Sequence, residues 1–323
     1  MSLRAARRAR VGALAKLNLD LRVLGKRPDG YHELRTIFQT ISLADKLDIA
    51  FTPGSERTIT LDEATAIPDN LVVRAARMAM EAMGLGGSVE MRLTKRIPMG
   101  AGLGGGSSDA AAVLLALPVL AGREIEWSTL CALGRELGSD VPFFLCGGRA
   151  AGIGRGTEVF PLADLPASRG LLIAPDVHVS TAEAYRALTP RLTTELQQNK
   201  IFSFQSQVWD VSRAAPAGND FEEPVFERHP ELAAWKQRLL EAGARPAMMT
   251  GSGSALFGLF GNSEQIARAL AAWGDAPEDQ PPAGQPRMFR FSLVNRSRYR
   301  SLWWRWLKEH CHGKAWPPRS LYA

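Results

Sequence analysis

Cysteine occurs only three times in 323 residues, at Cys131, Cys146 and Cys311. The number is odd and no pair has CxxC spacing. That excludes a disulfide framework and a cysteine zinc site, and it fits a reducing cytoplasm. Long apolar runs are missing too. None reaches the ~18–20 residues a membrane-spanning helix needs. The longest weakly polar stretch, Ala247–Gly261, is broken by Thr250, Ser252, Ser254 and four glycines. It reads as a packed hairpin or loop, so no membrane insertion is expected. The N-terminal MSLRAARRAR is basic, but the apolar patch behind it ends at Lys16. That is too short for a secretory signal, and the segment is shorter than an organellar transit peptide. No internal repeat is visible.

Positive charge is present in excess, but only at the two ends. Residues 1–10 carry four Arg and no acid, and residues 287–323 carry nine Lys or Arg against Glu309 alone. The ends therefore hold +12 of a net +6, which leaves residues 11–286 at −6. The basic pI describes appendages on a mildly acidic body and does not call for nucleic acid as a partner. The hydrophobic content of 46% and charged content of 22% are ordinary for a chain that buries a sizeable core. The length suggests two domains.

Periodicity supplies the elements. Leu17–Val23 alternates as a half-buried strand, and Arg27–Gly30 signals a turn. Thr36–Leu43, Lys46–Phe51 and Ser88–Leu93 also read as strands. Asn70–Met83 has helical spacing and ends at Gly84. A helix from Ser107 to Leu117 is expected to stop at Pro118, and Trp127–Leu137 is a helix ending at Gly138. Gly170–Ala174 is a short strand, and Ser180 with Glu183 forms a capping box for a helix to Leu188. Helices are expected near 220–229, 231–242 and from Ser263. Strands and helices mix without regular βαβ alternation, so the fold class is α+β. The expected division is residues 1–160, 161–275, and a Pro-rich linker with a basic, Trp-rich tail over 276–323. Three tryptophans make Ser301–Lys308 a helix packed back onto the body in preference to an interfacial or nucleic-acid-contacting segment.

Five of the seven residues from Gly100 to Gly106 are glycine, followed by Ser107 and Ser108 at a helix start. Glycine lets a ligand approach the backbone closely. The first-turn N–H groups of the helix have no internal partners and its dipole is positive there. Together these make an anion cradle suited to a triphosphate. The missing Gly-Lys-Ser/Thr excludes a Walker A loop. A GxGxxG match at Gly100, Gly102 and Gly105, with Glu124 or Glu126 at a suitable distance, raises a dinucleotide site. However, those acids enter a helical pattern instead of ending a buried strand.

Lys16 and Asn18 alternate with leucines at a strand start, and Asp140 follows a helix end just before an apolar run. A partly buried Asp beside a Lys can stay ionised and accept a hydroxyl proton. Each alone is usually a solvated charge, and the combination is what carries weight.

These segments resemble the galactokinase–homoserine kinase–mevalonate kinase–phosphomevalonate kinase (GHMP) superfamily. The resemblance rests on AKLNLDLRVLGKRPDGYHEL at 15–34, DNLVVRAARM at 69–78, KRIPMGAGLGGGSSDAA at 95–111, GSDVPFFLCGG at 138–148, ND at 219–220 and MTGSGSALFG at 249–258. It implies a two-domain fold: a ribosomal-protein-like ATP-binding domain and a ferredoxin-like C-terminal domain, with the active site in the cleft between them. It implies ATP and Mg²⁺, with Asp140 as general base and Lys16 neutralising charge beside it. Gly100, Gly102, Leu103, Gly104, Gly105, Gly106, Ser107 and Ser108 would wrap the phosphates, and Asn70, Lys95, Arg96 and Pro98 would lie near the adenine. Ser108 is the candidate Mg²⁺ ligand.

The N-terminal and GSDVPFF segments are similar to a branch of isoprenoid precursor biosynthesis whose acceptor bears a cytidine diphosphate. On that likeness Tyr31 and Tyr185 would sandwich the cytosine and His32 would read its edge. Asn18, Thr181, Gly251 and Ser252 would complete the substrate side. The plainer reading of Tyr185 is a core aromatic, and Asn219-Asp220 is expected to cap a helix. The alternatives are a homoserine- or mevalonate-type kinase and an inactive binding relative. An acceptor without a base has no use for a stacked pair, and a binding module has no use for both Lys16 and Asp140. Oligomeric state is left open.

Overall fold

The computed structural model describes residues 5–64, 68–189, 217–274 and 284–322. Two antiparallel strands form the spine of the N-terminal half. β1 (Arg7–Lys26) pairs along its length with β2 (His32–Pro53). The two separate strands expected between Thr36 and Phe51 are one continuous β2. β5 (Arg149–Gly154) pairs with its first half and β4 (Gly87–Thr94) with its second. β3 (Arg57–Glu63) joins β4 in parallel, and β6 (Glu158–Pro161) joins β5.

The helices that cover this sheet are α1 (Leu71–Ala82), α2 (Gly105–Ala121), α3 (Trp127–Leu137) and α4 (Val141–Cys146). α2 is buried from Ser108 to Leu120 without a break. A helix apolar on every side belongs in the middle of a core. It runs through Pro118, where a stop was expected, and ends at Gly122 in the left-handed conformation. A proline lacks one N–H, which a buried last turn tolerates; the glycine C-cap is what ends the helix.

The C-terminal half is a four-stranded sheet in the order β10-β7-β9-β8, from β7 (Arg169–Ala174), β8 (Ala247–Met249), β9 (Leu256–Phe260) and β10 (Arg287–Ser292). Its helices are α5 (Thr181–Leu188), α6 (Glu222–Arg228), α7 (Pro230–Glu241) and α8 (Ser263–Trp273). The apolar stretch Ala247–Gly261 is the β8–β9 hairpin.

The tail expected over 276–323 needs correction. The linker residues 275–283 lie outside the described residues, but the chain beyond them is built into both domains. β10 pairs with β7 along six residues. α9 (Arg296–Leu307) then crosses to the first domain, where Tyr299, Trp303 and Leu307 are buried in its core. Trp306 closes on Gly12 of β1. The apolar area of these rings outweighs the charge between them, so the segment packs inward.

Candidate active site

β1 supplies the centre. Its pairing with β2 slips between Leu14 and Lys16 and again between Asn18 and Asp20. Irregularities of this kind re-aim side chains next to sites. Lys16 is 4% exposed and its amide donates to the Leu103 carbonyl at 3.0 Å. The Lys16 Nζ lies 3.5 Å from Asp140 Oδ2 and donates to Asn18 Oδ1 at 2.6 Å. Asp140 stands at the N-cap of α4 with its side chain 29% exposed. It has both a buried cation and an opening to solvent. Asn18 is 2% exposed. Its Nδ2 donates to Thr36 Oγ1 at 2.7 Å, and its Oδ1 also accepts from the Gly251 amide at 3.0 Å. It is therefore a hub that ties the Lys16 amine to the second domain.

Two glycine loops meet beside this pair. A Cβ on Gly102 would lie 2.1 Å from the Thr250 carbonyl oxygen, and one on Gly251 would lie 2.9 Å from the Gly102 Cα. Both residues have positive φ, 78° and 59°. The backbones touch across the domain boundary at a place where only glycine fits. Gly104 caps α2, and Gly105, Gly106 and Ser107 form its first turn with N–H groups free of helical partners. Gly100, Gly102, Gly104 and Ser107 line the cavity above Asp140.

Several residues assigned to the nucleotide point elsewhere. Ser108, expected on phosphate or Mg²⁺, is 3% exposed and donates its hydroxyl to the Leu14 carbonyl at 2.7 Å. Leu103 is buried and contributes its carbonyl to Lys16. Asn70 caps α1, accepting from the Val72 amide at 2.9 Å and donating to Glu63. Lys95 Nζ is held between Asp45 at 2.5 Å and Asp109 at 2.6 Å, both fully buried. Asp45 also accepts the amides of Arg96 and Ile97. Pro98 is half-buried. None of Asn70, Lys95, Arg96 or Pro98 lines the cavity, although Asn70 and Leu71 open α1 beside the loop, where Gly106 faces Leu71.

The cavity measures about 1060 Å³ and runs from Asp140 to the start of β2 and to α5. It gathers Tyr31, His32, Thr181, Tyr185, Gly251 and Ser252. The expected pair of tyrosine faces is arranged differently. His32 itself stacks on Tyr185, with ring centroids 4.5 Å apart and planes 24° from parallel. Tyr31 is 51% exposed and carries the Arg155 guanidinium 3.4 Å from its ring centre. Thr181 and Ser252 join hydroxyls at 2.8 Å, closing α5 onto the second glycine loop. Burial, and then Lys26, push the His32 pKa below its usual value, so the ring is neutral near pH 7. Burial pushes the Tyr185 phenol up to about 12, with the Asp140 charge adding to it. The two ends of the cavity are thus within electrostatic reach of each other.

Among the described residues the lining holds four cations, Lys16, Lys26, Arg155 and Arg186, against the single acid Asp140. An acidic body so turns a positive surface inward, suited to a phosphorylated ligand. Sequence patterns did not single out Lys26, Arg155 or Arg186. The only signal was their position, Lys26 before the turn and Arg155 inside GIGRG. Asn219 and Asp220, expected as a helix cap, act otherwise: the N-cap of α6 is Phe221, Asn219 fastens the second glycine loop, and Asp220 joins the two domains. Asn219 Nδ2 donates to the Met249 and Gly251 carbonyls at 2.8 Å each, and Asp220 Oδ2 accepts the Val23 amide at 2.8 Å.

Residues 70–148 match the GHMP kinases N terminal domain, and residues 210–279 match the GHMP kinases C terminal domain. Over 320 residues the chain is 62% identical to 4-diphosphocytidyl-2-C-methyl-D-erythritol kinase of Solibacter usitatus, covering 98% of each. The kinase of the same name from Pelotomaculum thermopropionicum is 42% identical over 263 residues, 80% of this chain and 91% of that one. A crystal structure of 4-(cytidine 5'-diphospho)-2C-methyl-D-erythritol kinase superposes with a TM-score of 0.71 at 39% identity, covering 88% of this chain and 99% of that one. With the two glycine loops, the Lys16–Asp140 pair and these likenesses in agreement, the chain belongs to the GHMP kinases.

Proposed function

We propose that this kinase transfers the γ-phosphoryl group of ATP to the 2-hydroxyl of 4-diphosphocytidyl-2-C-methyl-D-erythritol, a step in isoprenoid precursor biosynthesis, in the cytoplasm. The observation that carries the reading is a single cavity with a paired carboxylate at one end and a stacked aromatic pair at the other. Asp140 takes the proton from the acceptor hydroxyl, as a general base within reach of the reacting oxygen does. Lys16 keeps that carboxylate paired and faces the charge of the transferred group. Phosphoryl transfer asks for positioning and charge stabilisation more than for covalent chemistry. The amides of the first glycine loop and of α2 supply the cradle for the nucleotide phosphates.

Asn18 and the Gly251–Ser252 loop hold the acceptor side of the cleft shut. Tyr31, His32 and Tyr185 offer ring faces and one neutral imidazole to cytosine. Lys26, Arg155 and Arg186 meet the charge of the acceptor diphosphate.

Among the described residues no group of three or more His, Cys, Asp or Glu is placed to hold a metal ion. The donors that face the cavity, Asp140 and the Ser107 hydroxyl, fit Mg²⁺ bound chiefly by the nucleotide phosphates and by water, the usual arrangement for this ion. When bound, Mg²⁺ neutralises charge on the β- and γ-phosphates. Ser108, whose hydroxyl is bonded to Leu14, is not offered as its ligand.

The test is ATP consumption by the purified chain with three acceptors: the cytidine diphosphate alcohol, mevalonate and homoserine. Turnover with the first alone is expected. Turnover with either of the others, and none with the first, would replace this reading by another kinase of the superfamily. No turnover with any of the three would favour a binding relative.

A further inference from the structure

The second family match ends at residue 279, and the proposed reaction uses nothing beyond it. Yet the chain after that point reaches the helix that presents Asp140. Tyr299 of α9 is 2% exposed, and its hydroxyl donates to the Phe144 carbonyl at 2.5 Å. Phe144 belongs to α4, which has six residues and Asp140 as its N-cap. The last carbonyls of any helix lack internal partners. Here Phe143 O is taken by the Gly147 amide at 2.8 Å, and Phe144 O is taken by Tyr299.

The packing leaves no slack. Gly147 has φ 62°, and a Cβ on it would fall 2.3 Å from the Tyr299 ring. The preceding residues are fastened as firmly. The Val294 amide donates to the Thr40 carbonyl at 2.9 Å. Gln39 Nε2 donates to the Val294 carbonyl at 3.0 Å. The Gly148 amide donates to Thr40 Oγ1 at 3.0 Å, and the Arg296 guanidinium holds the Arg149 carbonyl. The far end of α4 is thus clamped by residues 294–299, and its near end carries the carboxylate 3.5 Å from Lys16.

We propose that Tyr299 is a positioning residue for Asp140: its bond to the Phe144 carbonyl fixes α4, and so fixes where the Asp140 carboxylate stands relative to Lys16 and the acceptor hydroxyl. The inference rests on Asp140 being the base. Six residues make a rod of only ~9 Å, so a shift at one end reaches the other. Misplacing a reacting group by ~1 Å can cost ~10²-fold in rate. Burial pushes the phenol well above its usual pKa, so it stays a donor over the working pH range.

The experiment is steady-state kinetics on Tyr299→Phe, Leu307→Ala, Asp140→Asn and the double variant Tyr299→Phe/Asp140→Asn, well below each melting temperature. Tyr299→Phe keeps the ring against Gly147 and removes one hydrogen bond. It should lower kcat roughly 3- to 10-fold, the range one such bond supports, with KM for ATP and acceptor unchanged. Leu307→Ala, two turns further along α9 and fully buried in the same core, should lower Tm at least as much and leave kcat alone. In the Asp140→Asn background Tyr299→Phe should cost nothing more, because it acts through the missing carboxylate. Wild-type kcat in Tyr299→Phe, an equal kcat loss in Leu307→Ala, or a loss that multiplies in the double variant would each overturn the proposal. Full activity in Asp140→Asn would overturn the reading of the base, and the positioning role with it.

Discussion

The two ends of the cleft are built from different materials. At the end proposed for the nucleotide the groups facing the cavity are mostly main chain, supplied by Gly100, Gly102 and Gly104 and by the first turn of α2, with the Ser107 side chain beside them. At the acceptor end they are side chains gathered from four places: Tyr31 and His32 at the start of β2, Arg155 after β5, Tyr185 on α5, and Ser252 in the β8–β9 loop. A backbone site needs a local composition, because close approach and positive φ are paid for in glycine within one stretch. A side-chain site needs a topology, which brings residues 31 and 185 together only after two sheets have formed. Asp140 and Lys16 stand where the two ends meet.

Replacing the meeting point should have the largest effect and should spare both ends. Asp140→Asn is expected to lower kcat by ~10²–10⁴, the usual cost of losing a general base, while ATP and the cytidine-bearing acceptor still bind. Titration of each ligand against the inactive variant checks the second half of that statement. A variant with most of its kcat would remove Asp140 from the chemistry.

The next effect separates the two materials. Gly102→Ala puts a methyl group 2.1 Å from the Thr250 oxygen, at a φ that alanine resists. Overpacking of this order costs ~1–3 kcal/mol, roughly 5- to 150-fold in an equilibrium. The loss should appear in ATP affinity before acceptor affinity, measured by calorimetry on the folded variant. Equal losses for both ligands would mean that the loop serves the domain junction as a whole, and the contrast between the ends would blur.

At the acceptor end Tyr185→Ala should weaken the cytidine-bearing ligand and spare ATP. A base stacked on an aromatic ring is worth ~1–3 kcal/mol by truncation. His32→Ala should instead relax the preference for cytosine over uracil, since an imidazole senses the base edge and a tyrosine ring only its face. Competition with CMP, UMP and ribose phosphate distinguishes the two. Because His32 now lies on Tyr185, 4.5 Å between centroids, base binding between the tyrosines would require the imidazole to move aside. If wild type binds CMP no better than ribose phosphate, no base pocket exists.

This contrast explains what could be read in advance. The glycine loop, the Lys16 and Asp140 segments and the two-domain α+β fold were legible, because composition and spacing carry them. The direction of individual polar side chains was not. Asn70, Lys95 and Ser108 were expected at the nucleotide, but their polar atoms turn inward, to a helix cap, to Asp45 and Asp109, and to the Leu14 carbonyl. Only packing decides whether a hydroxyl at a helix start faces the cleft or the strand beneath it. The C-terminal segment was legible in part. Its tryptophans pointed to a helix packed back onto the body, as found, whereas β10 and the face formed by Tyr299, Trp303 and Leu307, which recur every four residues, were not singled out.

The smallest expected effect tests whether the nucleotide end depends on the buried charges under it. Asp109 opens the second turn of α2, with Lys95 Nζ 2.6 Å away. Burial pushes its pKa up to about 7; Lys95 pulls it down, and the neighbouring Asp45 pushes it further up. In the unfolded chain an aspartate titrates near ~3.9. The folded state therefore holds this proton more tightly than the unfolded state. Its contribution to stability is complete below about pH 4 and is lost as pH rises toward 7. Wild-type Tm should drift downward across that window relative to Asp109→Asn, which keeps the shape and cannot ionise. Thermal melts at half-unit pH steps measure the difference. Over the same window ATP affinity should change little between the two proteins, because the cradle is made of amides that do not titrate. If ATP affinity instead followed the Asp109 titration, the cradle would depend on side-chain charge after all, and the two ends of the cleft would be less unlike than their geometry suggests.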